Sequence, residues 1–328
     1  MTDQALVGLD AIEAAAATLR GVVMRTPLVS FGPPEDRVHL KAESLQAIGA
    51  FKIRGAYTAI AALSDDERAR GVITYSSGNH AQGVARAARL LGTDAVVVMP
   101  DDAPPVKRDR VAADGAEIVV VGPASDERKE RAEAIAAERG LAIIPPFDDD
   151  RIIAGQGTMG LEIVEDLPTT GLVLVPVGGG GLASGVGAAI KGRRPDIRVV
   201  GVEPELAADA RDSLARGSIV RWSAADVSRT IADGTRTQSL GERTFAHVRA
   251  YIDAIVTVSE VEIAAAVRLV AERARLVAEP SGALAIAAWL FRRPELGPRL
   301  DGDVVAVVSG GNVDPTEYRR YLEAPLPG

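Results

Sequence analysis

An α/β protein of two domains, each a mostly parallel sheet with helices on both faces, is the fold class predicted by this 328-residue sequence. Three observations carry that expectation. From residue 71 to 144, short apolar stretches alternate with helical ones, the pattern of βαβ units. Residues 172–177 are almost purely apolar, the mark of a central parallel strand buried on both faces. Between the two lies Pro145-Pro146-Phe147-Asp148-Asp149-Asp150, whose prolines and acids punctuate the chain like a boundary. The expected division is a large domain of residues 1–70 and 149–328 and a small, mobile domain of residues 71–148.

The elements follow in order. Residues 10–19 read as a helix that Asp10 can cap and alanines fill. Thr26-Pro27-Leu28 breaks it, and residues 38–41 alternate like a strand. A helix is expected at 52–63, and Ser64-Asp65-Asp66-Glu67 opens another as a capping box would. The small domain then runs strand 72–75, helix 79–91, strand 95–99, helix 106–113, strand 117–121, helix 125–139 and strand 141–144. In the large domain, strand 172–177 leads through glycines into helix 182–191, strand 198–202 and helix 207–216. Strand 254–258, helices 261–276 and 281–291 and strand 304–308 close the chain.

Composition bounds the function. A net charge of −8 argues against nucleic acid or an anionic membrane as the main partner. With no cysteine, disulfides and thiolate metal sites are excluded. The first ten residues lack a basic stretch followed by an apolar core, so no signal peptide is read there. No run of about 18 uncharged apolar residues exists to span a membrane. The default reading is a cytoplasmic enzyme acting on a small molecule.

Four stretches carry chemistry. In Ala50-Phe51-Lys52-Ile53-Arg54-Gly55-Ala56, one lysine sits among apolar neighbours at a helix start. Partial burial lowers a lysine's pKa and suits it to form a Schiff base, although a lysine stem packing on an apolar surface has the same neighbours. Gly178-Gly179-Gly180-Gly181-Leu182 joins a buried strand to a helix, where amides and the helix dipole can hold a phosphate. Gly178, Gly180 and Ala183 also fit a dinucleotide fingerprint, with Glu203 where a ribose-binding acid would stand. On that segment alone the two readings are even.

Ser76-Ser77-Gly78-Asn79-His80 lies where a strand ends and a helix begins, and can receive a substrate carboxylate; capping is the commoner use of Ser77 or Asn79. A lone histidine such as His80 is usually structural. Ser309 ends the last strand before Gly310-Gly311-Asn312. Finally, Glu203, Ala207 and Asp209 place two carboxylates around a backbone carbonyl, the hard oxygen ligands that Mg2+ or Ca2+ prefers.

Taken together, and in this order, the motifs from about Arg25 to Asp314 resemble the fold-type II pyridoxal-phosphate enzymes, the tryptophan synthase β family. Within it they look like the serine/threonine dehydratase and serine racemase branch. Lys52, the serine-rich loop and Ser309 have no part in a nicotinamide enzyme, which decides the glycine loop for pyridoxal 5'-phosphate.

The resemblance implies that Phe51, Lys52, Asn79, Gly178 to Leu182, Gly234 and Ser309 bind the cofactor. Phe51 and Gly234 would flank its ring, Asn79 its phenolic oxygen, and Ser309 its pyridine nitrogen. Lys52 and Ser77 would be catalytic on opposite faces of the substrate. Ser76, Ser77, Gly78, Asn79 and His80 would hold the amino acid. Glu203, Ala207 and Asp209 match a cation site of related enzymes. The implied reaction is elimination of water from a β-hydroxy amino acid such as L-threonine or L-serine, giving a 2-oxo acid and ammonia. Racemisation through Ser77 and dehydration of 3-hydroxyaspartate are the alternatives. For the latter, Ser125-Asp126-Glu127-Arg128-Lys129 resembles a racemase segment that supplies an arginine, with Lys129 at the matching position. The chain ends short of the regulatory domain found in biosynthetic threonine dehydratases, which favours a catabolic type. A homodimer is the expected assembly.

Overall fold

A computed structural model of the chain describes residues 5–76, 78–101, 103, 105–122, 125–297 and 301–327. In chain order its strands are β1 (Leu28–Ser30), β2 (Val38–Ala42), β3 (Val72–Tyr75), β4 (Ala95–Pro100) and β5 (Glu117–Val121). They continue with β6 (Ala142–Ile143), β7 (Thr170–Pro176), β8 (Arg198–Pro204), β9 (Ala254–Val258) and β10 (Asp303–Val308). Six of them form one sheet in the order β1-β2-β10-β7-β8-β9 and four form another in the order β5-β4-β3-β6. Every pairing is parallel except β1 with β2. The α/β, mostly parallel architecture expected of the sequence is the one found.

The apolar run at β7 is buried from both sides, as its composition implies. Alternation sorts its residues: Leu172 and Leu174 pack with Val304 and Ala306 of β10 under the helix Pro280–Phe291. Val173 and Val175 join Val305 and Val307 on the other face, beneath the helices Asp150–Asp166 and Gly181–Arg193. In the smaller sheet, Ile73, Val96 and Val98 face Ala132 and Ile135 of the helix Ser125–Arg139. Val97 and Met99 face Ala81 and Ala85 of the helix Asn79–Leu91. Among the described residues no helix is long and apolar enough to cross a membrane.

Several boundaries differ from the sequence reading. The helix expected at 52–63 is Ile53–Ala61, which leaves Lys52 as its N-terminal cap. The helix expected from 207 begins at Asp209, because Ala207 is still in the turn that closes on Pro204. The largest omission is the 17-residue helix Asp150–Asp166, capped by the Asp149 carboxylate. Its interior glycines, Gly155, Gly157 and Gly160, each cost about 1 kcal/mol relative to alanine, so propensity speaks against a helix here. Packing overrules it. A Cβ on Gly155 would stand 2.7 Å from the Arg54 carbonyl, and one on Gly160 2.8 Å from the Ala189 Cβ. The glycines thus let the helices Ile53–Ala61 and Gly181–Arg193 press against this one from two sides. Both of those neighbours start at the candidate site, so the omitted helix is its backing.

Candidate active site

The site lies where β2, β3, β7 and β10 end. Phe51 donates its amide to the Ser309 carbonyl at 3.0 Å and Ala50 bridges to Gly310, so the lysine stretch is stitched to the end of β10. From this anchor the Lys52 amine reaches the Pro146 carbonyl at 2.7 Å. Desolvation lowers its pKa to about 8. Burial and the nearby Lys52 charge push His80 down to about 3, and its neutral ring donates through Nε2 to the Ile144 carbonyl at 3.0 Å. The imidazole is therefore turned inward, and any contact of His80 with a substrate falls to its backbone.

Behind Lys52, the next turn of the helix carries a buried ion cluster. Arg54 has no solvent exposure and grips Glu43 through two bonds of 2.8 and 2.9 Å and Glu162 through two of 2.7 and 2.9 Å. Lys41, equally buried, meets Glu162 at 2.6 Å. Burial would raise the Glu43 carboxyl, but Arg54, Thr26 and Lys41 together hold it below its usual range. The clamp ties the start of the Lys52 helix to β2 and to the helix Asp150–Asp166.

The glycine loop has the form of an anion cradle. Gly180 caps the helix Gly181–Arg193 with φ +89°, a conformation open to glycine. The ring of Phe147 lies where a Cβ on Gly179 would be, and Leu240 and Thr244 close on Gly180. Among the described residues no acceptor takes the amide hydrogens of Gly179, Gly180, Gly181 or Leu182. Four unspent donors at a helix N-terminus, in a hollow that only glycine leaves open, fit a phosphate. The segment Pro146–Phe147 borders both features, its carbonyl on Lys52 and its ring on the cradle.

The remaining positions converge on the same cleft. Ser309 is 5% exposed and donates to the Ser281 carbonyl at 3.4 Å, while the Ser281 hydroxyl accepts from the Gly234 amide at 2.8 Å. A serine here brings no negative charge, unlike an aspartate. Asn79 donates to Glu279 at 2.6 Å and accepts from Asn312 at 2.8 Å. Burial raises Glu279 to about 7, Asp233 adding to the shift while Lys107 and Asn79 oppose it. Gly78 caps the helix Asn79–Leu91 and donates to the Ser76 hydroxyl at 3.2 Å. Ser77 lies outside the described residues.

Glu279, Ser281 and Phe147 were not singled out from the sequence. Only the glutamate carried a signal, standing before Pro280-Ser281-Gly282 at a helix start.

The acid pair is separate from the cleft but adjoins it. Glu203, at the end of β8, accepts from the amides of Ala210 and Arg211 at 3.0 and 2.9 Å. Both carboxylate oxygens of Asp209 are buried without a hydrogen-bond partner. Desolvation raises Asp209 to about 7, opposed by its own and the Leu240 amide. Burial and Asp209 together raise Glu203 well above its usual range. Two buried acids so destabilised, one of them orphaned, are a donor set that a hard cation fits. No group of three or more ligating side chains occurs among the described residues, so carbonyls and water would complete any such shell.

Comparison with known proteins agrees with this geometry. Residues 19–310 match a family model described as pyridoxal-phosphate dependent enzyme. The chain is 44% identical over 325 residues to an L-threonine ammonia-lyase of Thermotoga maritima, covering 98% of this chain and 79% of that protein. It is 41% identical to an L-threo-3-hydroxyaspartate ammonia-lyase of Saccharomyces cerevisiae over 94% of each. Among solved structures, it resembles the T.th. threonine deaminase with a TM-score of 0.87 and 45% identity, covering 94% of this chain and 99% of that one. Maize serine racemase is similar too, with a TM-score of 0.91 and 35% identity over 97% and 98%.

Proposed function

The chain belongs to the pyridoxal-phosphate dependent enzyme family, and from that premise we propose that it eliminates water from a β-hydroxy amino acid and releases a 2-oxo acid and ammonia. The observation that carries the reading is one lysine amine, lowered to about 8 and set beside a four-amide anion cradle by a single segment, Pro146–Phe147. When bound, pyridoxal phosphate supplies the electron withdrawal that makes a Cα proton removable. Lys52, Phe51, Asn79, Gly178 to Leu182, Gly234 and Ser309 are the residues that would hold it.

Lys52 is the general base, its lowered pKa putting a useful share of neutral amine near neutral pH. The amides at the start of the helix Asn79–Leu91, with Ser76 and Gly78, receive the substrate carboxylate. The Cα–H bond breaks, its electron pair forms the Cα–Cβ double bond, and the β-hydroxyl leaves as water. Hydrolysis of the resulting enamine, with uptake of one water, gives the 2-oxo acid and ammonia. The unit of residues 71–148 closes over the substrate and keeps the site dry.

Threonine and serine are favoured over hydroxyaspartate because Lys129, the cation that a second carboxylate would use, is half-exposed and pairs with Glu133 at 3.8 Å. Incubating the protein with L-threonine, L-serine and L-threo-3-hydroxyaspartate, and measuring 2-oxo acid and ammonia, tests the proposal. Product from none of the three would refute it. Measuring the opposite enantiomer in the same reactions weighs the racemase alternative. If enantiomer forms, Ser77→Ala is expected to lower its ratio to 2-oxo acid, and an unchanged ratio removes Ser77 as the opposite-face acid. A cytoplasmic homodimer belongs to the same reading.

A divalent cation, Mg2+ or Ca2+, at Glu203, the Ala207 carbonyl and Asp209 also belongs to this proposal. Both acids have folded pKa values raised above their unfolded ones. Without a cation their contribution to stability is therefore present below about pH 4 and lost as pH rises through about 7. The Tm of chelator-treated protein is expected to fall from pH 5 to 8. Adding Mg2+ or Ca2+ should restore it most strongly at the upper end, by about 2.7 kcal/mol at a hundredfold excess over Kd. A Tm indifferent to cation at pH 8 would remove the site.

A further inference from the structure

We propose that Asn312 and Glu279 are positioning residues that lock the Asn79 side-chain amide from both ends and aim its one remaining N–H at the cofactor, with Arg110 tying this lock to the smaller sheet. The inference deepens the proposed function and rests on it. The hydrogen bonds leave no freedom in how the amides are oriented. Asn312 Nδ2 is 2.8 Å from the Ile48 carbonyl and 2.8 Å from Asn79 Oδ1, and since a carbonyl only accepts, both hydrogens of that nitrogen are spent. Asn79 must therefore present oxygen to Asn312 and nitrogen to Glu279, whose Oε1 accepts at 2.6 Å. One hydrogen on Asn79 Nδ2 is left.

The backbone makes room for this chain of bonds at two places. Gly49, at φ +72°, has no Cβ where the Asn312 oxygen lies, and Gly310 has none where Glu279 Oε1 lies. A side chain at either position would displace one end of the lock. The far end of Asn312, its Oδ1, accepts from Arg110 on the helix Pro105–Ala113, which packs beside the smaller sheet. One turn earlier on that helix, Lys107 pairs with Asp233 at 2.5 Å, beside Gly234. Closure of the smaller unit thus delivers two cations to the two sides of the cofactor's place: one acts on Asn79 through Asn312, the other on the turn that carries Gly234.

The test is spectroscopic and uses apo-protein titrated with pyridoxal phosphate at about pH 8, where Glu279 is a carboxylate. Asn79→Ala is expected to move the absorption maximum of the bound cofactor and to weaken its binding. Asn312→Ala and Glu279→Gln should each move the band in the same direction and weaken binding about three- to tenfold, the loss of one hydrogen bond. Neither should add anything in the Asn79→Ala background, because residues acting through one partner are not additive. Arg110→Met should produce a smaller shift of the same sign. A wild-type band in Asn312→Ala and Glu279→Gln, or effects that add in full to Asn79→Ala, overturns the proposal. If Glu279→Gln does not fold, Asn312→Ala and the exposed Arg110→Met decide by the same criterion. A wild-type protein that binds no cofactor refutes the proposed function itself, an outcome distinct from a bound cofactor whose band ignores the lock.

Discussion

Replacing Lys52 by alanine is expected to cut turnover by at least about a thousandfold while the protein still folds and still takes up pyridoxal phosphate. Two roles disappear together, attachment of the cofactor and removal of the Cα proton, and general base catalysis alone contributes about 10²–10⁴. The fold should survive because the Lys52 amine makes one hydrogen bond, to Pro146, and takes no part in the ion cluster behind it. Cofactor uptake should survive because the cradle at Gly178 to Gly181 does not include the lysine. Borohydride reduction followed by mass spectrometry is the direct check. Wild type should carry a covalent adduct on Lys52 and the variant none. An adduct elsewhere in the variant, or turnover near wild type, would remove Lys52 from its role.

Arg54→Met is expected to be the most destabilising single change near the site, costing about 3–5 kcal/mol, because it leaves Glu43 fully buried without its main counter-charge. Against a total stability of about 5–15 kcal/mol this is a large share, and Tm should fall by roughly 10 °C. Its pH dependence carries the mechanism. In wild type the folded Glu43 pKa is lowered, so its contribution is present above its unfolded value, near 4.3, and is lost in acid. In the variant, burial without Arg54 raises the folded value, so the contribution of Glu43 is lost as pH rises. The gap in Tm between the two proteins should therefore be smaller at about pH 5 than at pH 8. Thermal unfolding at the two pH values measures it, and a gap that is constant or widens in acid would show that the cluster does not act through Glu43. Because the clamp joins β2, the Lys52 helix and the helix Asp150–Asp166, Arg54→Met should also weaken cofactor binding.

Much of this site was legible before any coordinates. Lys52 announced itself by apolar neighbours, the cradle by four consecutive glycines, and β7 by an unbroken apolar run, because each signal is contained within a few adjacent residues. The helix Asp150–Asp166 was not legible. Its glycines look like breakers locally, and their purpose becomes visible only when the carbonyl of Arg54 is seen against Gly155. Glu279 was hidden for a related reason: a glutamate before a proline reads as an ordinary helix start, and nothing near it in sequence tells that it is 2% exposed.

The sequence by itself determined the fold class, the family, the order of most elements and the chemical types gathered at the ends of the strands. These follow from period, propensity and motif, which are properties of neighbours a few residues apart. Only the tertiary structure decided which side chains meet. Asn79 and Asn312 are separated by 233 residues, Asn79 and Glu279 by 200, and Arg54 and Glu162 by 108. They are joined because β10, the last strand, inserts between β2 and β7 in the larger sheet and brings the end of the chain against the Lys52 stretch. That insertion maximises the apolar area buried around β7 and β10, a sum over the whole chain that no local pattern contains. The lowered pKa of Lys52, the orphaned carboxylate of Asp209 and the single free N–H of Asn79 are consequences of it.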